Sequence, residues 1–316
     1  MTTHRNADSA AQKETKVSVC MPTYNAAKTI KKCLENILNQ TVKPYEILVV
    51  DGHSQDETLK ILQEYPNVKI IGSAKGIGRA RKILANNASG DLIAWVDADA
   101  VVPLNWIELN VQIHLKRKDI MILSGEGKNI DAISPEKFVL KVSSESMPIV
   151  EWLGSTQNAC TMKKELFSVV NYDERFKRSE DFEFVISAYR KGIKAHRCHG
   201  LKYFHITRSR KRYLKEMIYS GTYVLFLKKH GLWYVKFNPK HFVAFVFRIA
   251  LIYAIPISFL FPISFFFLFA LLIYPVTWVG YAINSKTSIF SKGIAFKLLT
   301  EMMKGIGEHL YLFKLI

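Results

Sequence analysis

Between residues 16 and 99 the chain alternates short apolar runs with stretches of helical periodicity, and this alternation narrows the possible folds more than any other feature. The runs are Lys16-Val17-Ser18-Val19-Cys20-Met21, Glu46-Ile47-Leu48-Val49-Val50, Val68 to Ile71, and Leu92-Ile93-Ala94-Trp95-Val96. Each has strand length and is bounded by turn-forming residues. After the first run, Ile30, Cys33, Leu34, Ile37 and Leu38 recur at the spacing of one helix face. A second helix is predicted around Thr58 to Tyr65 with Ser54 as its N-cap, and a third through Arg79 to Asn87. Strands and helices that alternate across short links read as βαβ units, hence α/β, with a parallel sheet and right-handed crossovers. The fourth run is apolar throughout, which predicts a strand buried on both faces.

Open sheets of this kind place ligands outside the carboxyl ends of their strands. The topology carries Tyr24, Asp51, Asp97 and Asp99 to that edge. Asp97 and Asp99, spaced i and i+2, suit a hard divalent cation such as Mg²⁺ or Mn²⁺, which takes carboxylate oxygens and keeps substrate phosphates as further ligands. Gly76-x-Gly78 lacks the third glycine of a dinucleotide fingerprint and follows the third strand rather than the first. It reads either as a glycine turn before a helix or as a helix N-terminus where backbone N–H groups, with Arg79 or Arg81, face a ligand.

Further on, Pro103 opens a helix through Trp106 to about Lys116, Ile120 to Leu123 is a strand, and Lys163 to Val169 is a short helix. The stretch from Gly125 to Leu153 carries no clear period. Ser179 reads as the N-cap of a helix that runs to Arg190. Glu180 and Asp181 fill its first turn, where acids complement the helix dipole or stand ready for chemistry.

Lys and Arg number 44 against 27 Asp and Glu, a net charge of +17. Nucleic acid, an anionic membrane face or a phosphorylated substrate would each account for it. The apolar weight near the C-terminus argues against nucleic acid as the partner. No residue from Ile249 to Ser285 is charged, and the apolar stretch starting at Phe242 is about twice the ~20 residues that one spanning helix needs. Pro256 and Pro262 interrupt it, which predicts two helices, roughly 242 to 260 and 263 to 284, as a transmembrane or re-entrant hairpin. Lys228, Lys229, Lys236, Lys240 and Arg248 flank one side, and Lys286, Lys292 and Lys297 the other. Both ends are therefore expected in the cytoplasm, at the cell membrane. Residues 287–316 show an i+4 apolar stripe between charges, as in a helix lying in the interface and touching membrane lipids. Residues 1–16 read as a disordered leader and 17–235 as the α/β domain, with interfacial helices at its C-terminal end. Cys20, Cys33, Cys160 and Cys198 are scattered, as reduced, buried thiols are.

Taken in order, Pro22-Thr23-Tyr24-Asn25, Val49-Val50-Asp51-Gly52, Gly76-Ile77-Gly78-Arg79-Ala80-Arg81, Gly90-Asp91, Asp97-Ala98-Asp99, Tyr172-Asp173-Glu174-Arg175-Phe176 and Glu180-Asp181 resemble the family 2 glycosyltransferases. The resemblance covers roughly Val17 to Arg190. It implies the GT-A fold, a Rossmann-like, mostly parallel sheet with flanking helices, and a UDP- or GDP-linked sugar as donor. It gives donor binding to Pro22, Thr23, Tyr24, Asn25, Asp51, Gly76, Arg79, Arg81 and Asp97, with Thr23, Tyr24 and Asp51 at the nucleobase. Asp97 would contact the ribose or the metal, and Asp99 would ligate Mn²⁺ or Mg²⁺. Asp181 would be the base that takes the acceptor's proton in an inverting displacement. His205 would be a further metal ligand, followed by Arg208 and Arg210 on the pyrophosphate. Relatives that charge polyprenyl phosphate carry Glu where this chain has Ala26 and Gln where it has Val101. Both departures favour a lipid-linked or membrane-proximal saccharide as acceptor. A polyprenyl-phosphate glycosyltransferase, a nucleotidyltransferase and an inactive scaffold are the alternatives.

Overall fold

A computed structural model of the chain describes residues 14–130, 147–156, 159–206, 222–240 and 242–246. The chain divides into two compact units, Met1–Glu174 with Asp181–Thr207, and Arg175–Glu180 with Arg208–Ile316. In chain order the first unit contains β1 (Val17–Thr23), α1 (Ile30–Leu38), β2 (Glu46–Asp51), α2 (Thr58–Gln63), β3 (Val68–Ser73), α3 (Ile77–Asn87), β4 (Leu92–Val96) and β5 (Ala100–Val101). It continues with α4 (Trp106–Lys116), β6 (Ile122–Ile130), β7 (Ile149–Glu151), β8 (Ala159–Lys163), a 3₁₀ turn (Lys164–Ser168), α5 (Glu180–Tyr189) and β9 (Ala195–Ile206). In the second unit, helices Tyr223–His230 and Leu232–Phe237 pack Phe226 against Phe176 and Tyr234, with ring centroids 5.0 and 4.8 Å apart.

One sheet runs in the order β3-β2-β1-β4-β8-β6-β9-β5, with β7 paired to β9. Its first half is the expected parallel β3-β2-β1-β4. Its second half is mixed. β8 is antiparallel to both β4 and β6, β5 and β7 are antiparallel to β9, and β6 is parallel to β9. The expectation of a mostly parallel sheet is corrected accordingly. β8, β5 and β7 pair antiparallel with their neighbours, so their sequences carry no βαβ rhythm.

Successive residues of the central strands enter two different cores, as the period-2 geometry of a strand requires. Val17, Val19 and Met21 of β1, Ile47 and Val49 of β2, and Leu92, Ala94 and Val96 of β4 pack with Ile30, Leu34 and Ile37 of α1 and Trp106 and Ile113 of α4. Cys20, Leu48, Val50, Ile93 and Trp95 face the other way, onto Leu84 of α3 and Phe184 and Val185 of α5. There Trp95 meets Tyr172 edge-on at 5.2 Å, and Tyr172 stacks on Phe184 at 4.5 Å.

β6 bulges between Ser124 and Glu126. The cause is close approach: a Cβ on Gly125 would lie 2.1 Å from the Leu201 carbonyl oxygen, so only glycine lets β9 pass. Two predicted caps are revised. Ser54 belongs to a loop network described below, and α2 begins at Thr58 behind Glu57. Ser179 takes φ 58°, outside the extended region where a capping serine sits.

The expected transmembrane hairpin and interfacial helix lie outside the described residues apart from 242–246, which are helical. The same holds for residues 1–13 of the expected leader. Among the described residues no helix is long and apolar enough to cross a membrane.

His114 of α4 is buried, with Nδ1 3.2 Å from the Ile120 carbonyl and Nε2 2.9 Å from Thr161 Oγ1. Burial pushes it down to about 4. The unfolded chain therefore binds a proton between pH 6.5 and 4 that the folded chain does not. This stabilisation is complete above pH 6.5 and lost as pH falls towards 4, by about 3 kcal/mol. Urea titrations of the full chain at pH 7, 5.5 and 4 should show this loss, and His114→Gln should flatten it. Equal slopes for the two proteins would show that His114 charges inside the fold.

Candidate active site

The first two loops at the carboxyl edge of the sheet are tied to each other. β1 ends at Thr23 beside Asp51 of β2. Asp51 is 1% exposed, and its carboxylate accepts the Ser54 N–H (2.8 Å) and the Ser54 hydroxyl (2.6 Å). Ser54 Oγ in turn accepts the Asn25 N–H at 2.8 Å, and Asn25 Oδ1 accepts the Gln55 N–H at 2.7 Å. Asn25 and His53 sit at φ 46° and 65°, the left-handed region that Asn and His enter more readily than most residues. Gly52 donates its N–H to the Thr23 carbonyl at 2.7 Å, and a Cβ there would press on Tyr24 at 3.1 Å. This leaves the Tyr24 ring standing out from the edge, 53% exposed.

Asp56 completes the tie. Its carboxylate accepts the Ala27 N–H at 3.1 Å together with the Thr58 N–H and hydroxyl. These hydrogen bonds outweigh burial and hold the carboxyl below the usual range. Asp56 was not among the residues expected at the site. The signal for it is an Asp two residues before a helix start, where the side chain closes an Asx turn.

β4 delivers Asp97 and Asp99 in a turn closed by Ala100 N–H to the Asp97 carbonyl at 2.9 Å. Arg81 comes across from α3, 2% exposed, and its Nη2 lies 2.9 Å from Asp97 Oδ1. Its guanidinium is stacked over Trp95 at 5.1 Å and Tyr172 at 5.9 Å. Arg81 therefore meets a carboxylate of the crevice. Arg79, two positions earlier on the helix, is exposed, and its Nε lies 3.7 Å from Glu174. Gly76 precedes α3 at φ 101°, a conformation suited to glycine.

Asp99 and His205 come together, with Oδ1 to Nε2 3.3 Å and both side chains largely covered. The pairing of β5 with β9 sets this contact: Ala100 lies opposite His205, and the Ile206 N–H donates to the Asp99 carbonyl at 2.9 Å. Among the described residues no three His, Cys, Asp or Glu side chains gather as a ready-made metal cage. Arg208 and Arg210 lie outside the described residues.

Asp181 stands in the first turn of α5. Its Oδ1 accepts the Phe182 N–H at 2.8 Å, and its Oδ2 accepts the Ser155 hydroxyl. Two buried thiols lie within electrostatic reach of these acids. Burial pushes Cys160 up to about 12, and Arg81, Asp97 and Asp181 all act on it through space. Burial also raises Cys33, which feels Asp99 and Asp97. Ser155 is a second residue that the sequence did not single out, because its partner is 26 positions away in the chain.

Removing Arg81 would leave Asp97 largely covered with its cation gone. Arg81→Met should lower stability by about 3 kcal/mol. Chemical denaturation checks the loss, and an unchanged midpoint would show that Asp97 is solvated well enough without its partner.

The Glycosyl transferase family 2 model matches residues 18–137. Over 239 residues the chain is 28% identical to a dolichyl N-acetyl-alpha-D-glucosaminyl phosphate 3-beta-D-2,3-diacetamido-2,3-dideoxy-beta-D-glucuronosyltransferase of Methanococcus voltae, covering 65% of this chain and 71% of that one. Over 104 residues it is 36% identical to the UDP-Glc:alpha-D-GlcNAc-diphosphoundecaprenol beta-1,3-glucosyltransferase WfgD of Escherichia coli, covering 32% of this chain and 41% of the relative. The chain spans less than half the length of several relatives it matches, down to 18% of a chondroitin synthase of Escherichia coli. In fold it is similar to S. aureus TarS 1-349 in complex with UDP-GlcNAc, with a TM-score of 0.50 and 20% identity over 65% of each chain. Residues 18–137, which hold the parallel half of the sheet and the carboxylates at its edge, thus form a Glycosyl transferase family 2 domain.

Proposed function

We propose that the chain is a membrane-bound, inverting glycosyltransferase that moves a sugar from a UDP- or GDP-linked donor to a lipid-linked or membrane-proximal saccharide. The observation that carries this reading is the turn at the end of β4, where Asp97 meets Arg81 and Asp99 meets His205 at the carboxyl edge of the sheet. Tyr24 and the Asp51 loop offer an exposed ring and a fixed backbone beside it for the nucleobase. Asp97, already balanced by Arg81, suits a ribose hydroxyl better than a cation.

A donor diphosphate leaves as an anion, so charge must be met at the site of bond breaking. Asp99 and His205 supply one oxygen and one nitrogen donor at the same spot. That fits Mn²⁺ or Mg²⁺, which need few protein ligands when a diphosphate and water complete the shell. Bound there, the ion would offset the charge growing on the leaving diphosphate. Asp181 accepts the proton of the attacking hydroxyl, and attack from the face opposite the leaving group inverts the anomeric carbon.

The names of the Methanococcus voltae and Escherichia coli relatives describe transfer to a sugar carried on a polyprenyl phosphate or diphosphate, which supports a saccharide hydroxyl as acceptor. The uncharged stretch from Ile249 to Ser285, flanked by lysines, supports anchoring at the cell membrane with the catalytic domain on the cytoplasmic face.

Thermal shift of the full chain with UDP, GDP and their sugars, each with and without Mn²⁺, should find one nucleotide whose stabilisation needs the metal. Asp99→Ala should remove that metal dependence. Asp181→Asn should keep the donor-induced shift yet lose roughly 10²- to 10⁴-fold in kcat for release of nucleoside diphosphate. Full turnover by Asp181→Asn would move the assignment to a phosphate acceptor, which is already an anion. Release of pyrophosphate would overturn glycosyl transfer itself.

A further inference from the structure

The loop between β7 and β8 brings Ser155 to Asp181, and the residues fixing that loop form a continuous line of contacts starting in the sheet. The Trp152 N–H donates to the Ala195 carbonyl at 2.8 Å, which extends the β7–β9 pairing by one residue. The Arg197 guanidinium of β9 lies over the Trp152 ring at 3.3 Å. Its Nε is buried with no hydrogen-bond partner among the described residues, so the indole face sets its position. Burial lowers the affinity of Arg197 for its proton, as expected of a guanidinium stacked rather than solvated. Trp152 Nε1–H then donates to the Ser155 carbonyl at 3.2 Å. Gly154 lies so close to the indole that a Cβ would fall 2.6 Å from Cζ2. Thr156 is buried, and its carbonyl accepts the Ser124 hydroxyl at 3.1 Å. Ser155 is thereby held on both sides, and its hydroxyl meets Asp181 Oδ2.

We propose that Ser155 is the positioning residue for Asp181, and that Arg197 and Trp152 act as the strut that holds it. The inference rests on the reading of Asp181 as the base. A carboxylate on the first turn of a helix has two free torsions. With Oδ1 on its own helix and Oδ2 on Ser155, the plane of the group is set before substrate arrives, and a misplacement near 1 Å in such a group costs on the order of 10²-fold in rate.

The test is a pair of double-variant cycles on the full chain. In thermal unfolding, the Tm losses of Ser155→Ala and Asp181→Asn should overlap, the double variant losing no more than the larger single loss; fully additive losses overturn the contact. In UDP release from UDP-GlcNAc or UDP-glucose, whichever turns over faster, Ser155→Ala should lower kcat about 10-fold with donor KM unchanged. Ser155→Thr should restore it, and Ser155→Ala should cost nothing further in the Asp181→Asn background. Trp152→Phe keeps the ring for Arg197 but loses the N–H, and should give an intermediate kcat. Wild-type kcat in Ser155→Ala while Asp181→Asn is impaired overturns the strut alone. Wild-type kcat in Asp181→Asn overturns the base assignment beneath it.

Discussion

β1 is buried along its whole length between β2 and β4, and the acids of the crevice take their places from it. Its register against β2 puts Thr23 beside Asp51, and its register against β4 sets the height at which Asp97 leaves the sheet. The other end of the strand is locked by a buried polar cluster. Ser18 Oγ donates to Glu46 at 2.7 Å and accepts the Gly90 N–H at 2.8 Å, and the Ser89 N–H donates to the same Glu46 oxygen. Burial works against the charge on Glu46, yet the hydrogen bonds from Ser89 and Ser18, with Lys69, hold its carboxyl below the usual range. A one-residue slip of β1 would break this cluster and exchange the two cores at once.

The same covering that fixes the strands shapes the electrostatics at their ends. Arg81 and Asp97 meet where water is largely excluded, so each depends on the other and on the aromatic faces of Trp95 and Tyr172. Cys33 and Cys160 lie under the acids as neutral thiols, which makes them packing residues rather than nucleophiles. Asp99 pairs with His205, and Asp181 is held by the Phe182 N–H and the Ser155 hydroxyl. The exposed pairs, such as Arg79 and Lys82 with Glu174, contribute little beside them.

The strands β1 to β4 and the helices α1 to α4 were legible because the strands are short apolar runs and the helices alternate with them in chain order. Asp97 and Asp99 could be placed at the sheet edge because strand ends are visible in the same pattern, whereas the role expected of Asp181 came from the family resemblance. The strands β8 and β9 were harder to see. β8 is five residues long and follows a polar stretch, and β9 mixes His, Arg and Lys with apolar residues because much of it is only half covered. Ser54 looked like a cap because a serine before a helix usually is one. In the fold its hydroxyl has a nearer use, between Asp51 and the Asn25 backbone, and Asp56 makes the local turn instead.

Period and residue type were enough to specify a sheet flanked by helices and the edge at which its acids emerge, while the class of chemistry expected there came from the family resemblance. Those properties depend on near neighbours in the chain. Partnerships between distant segments came from the folded molecule: Arg81 turned to Asp97 rather than outward, Asp99 beside His205, Ser155 on Asp181 with Trp152 and Arg197 behind it. Each depends on strand order, which is set by how the whole sheet excludes water from both of its faces.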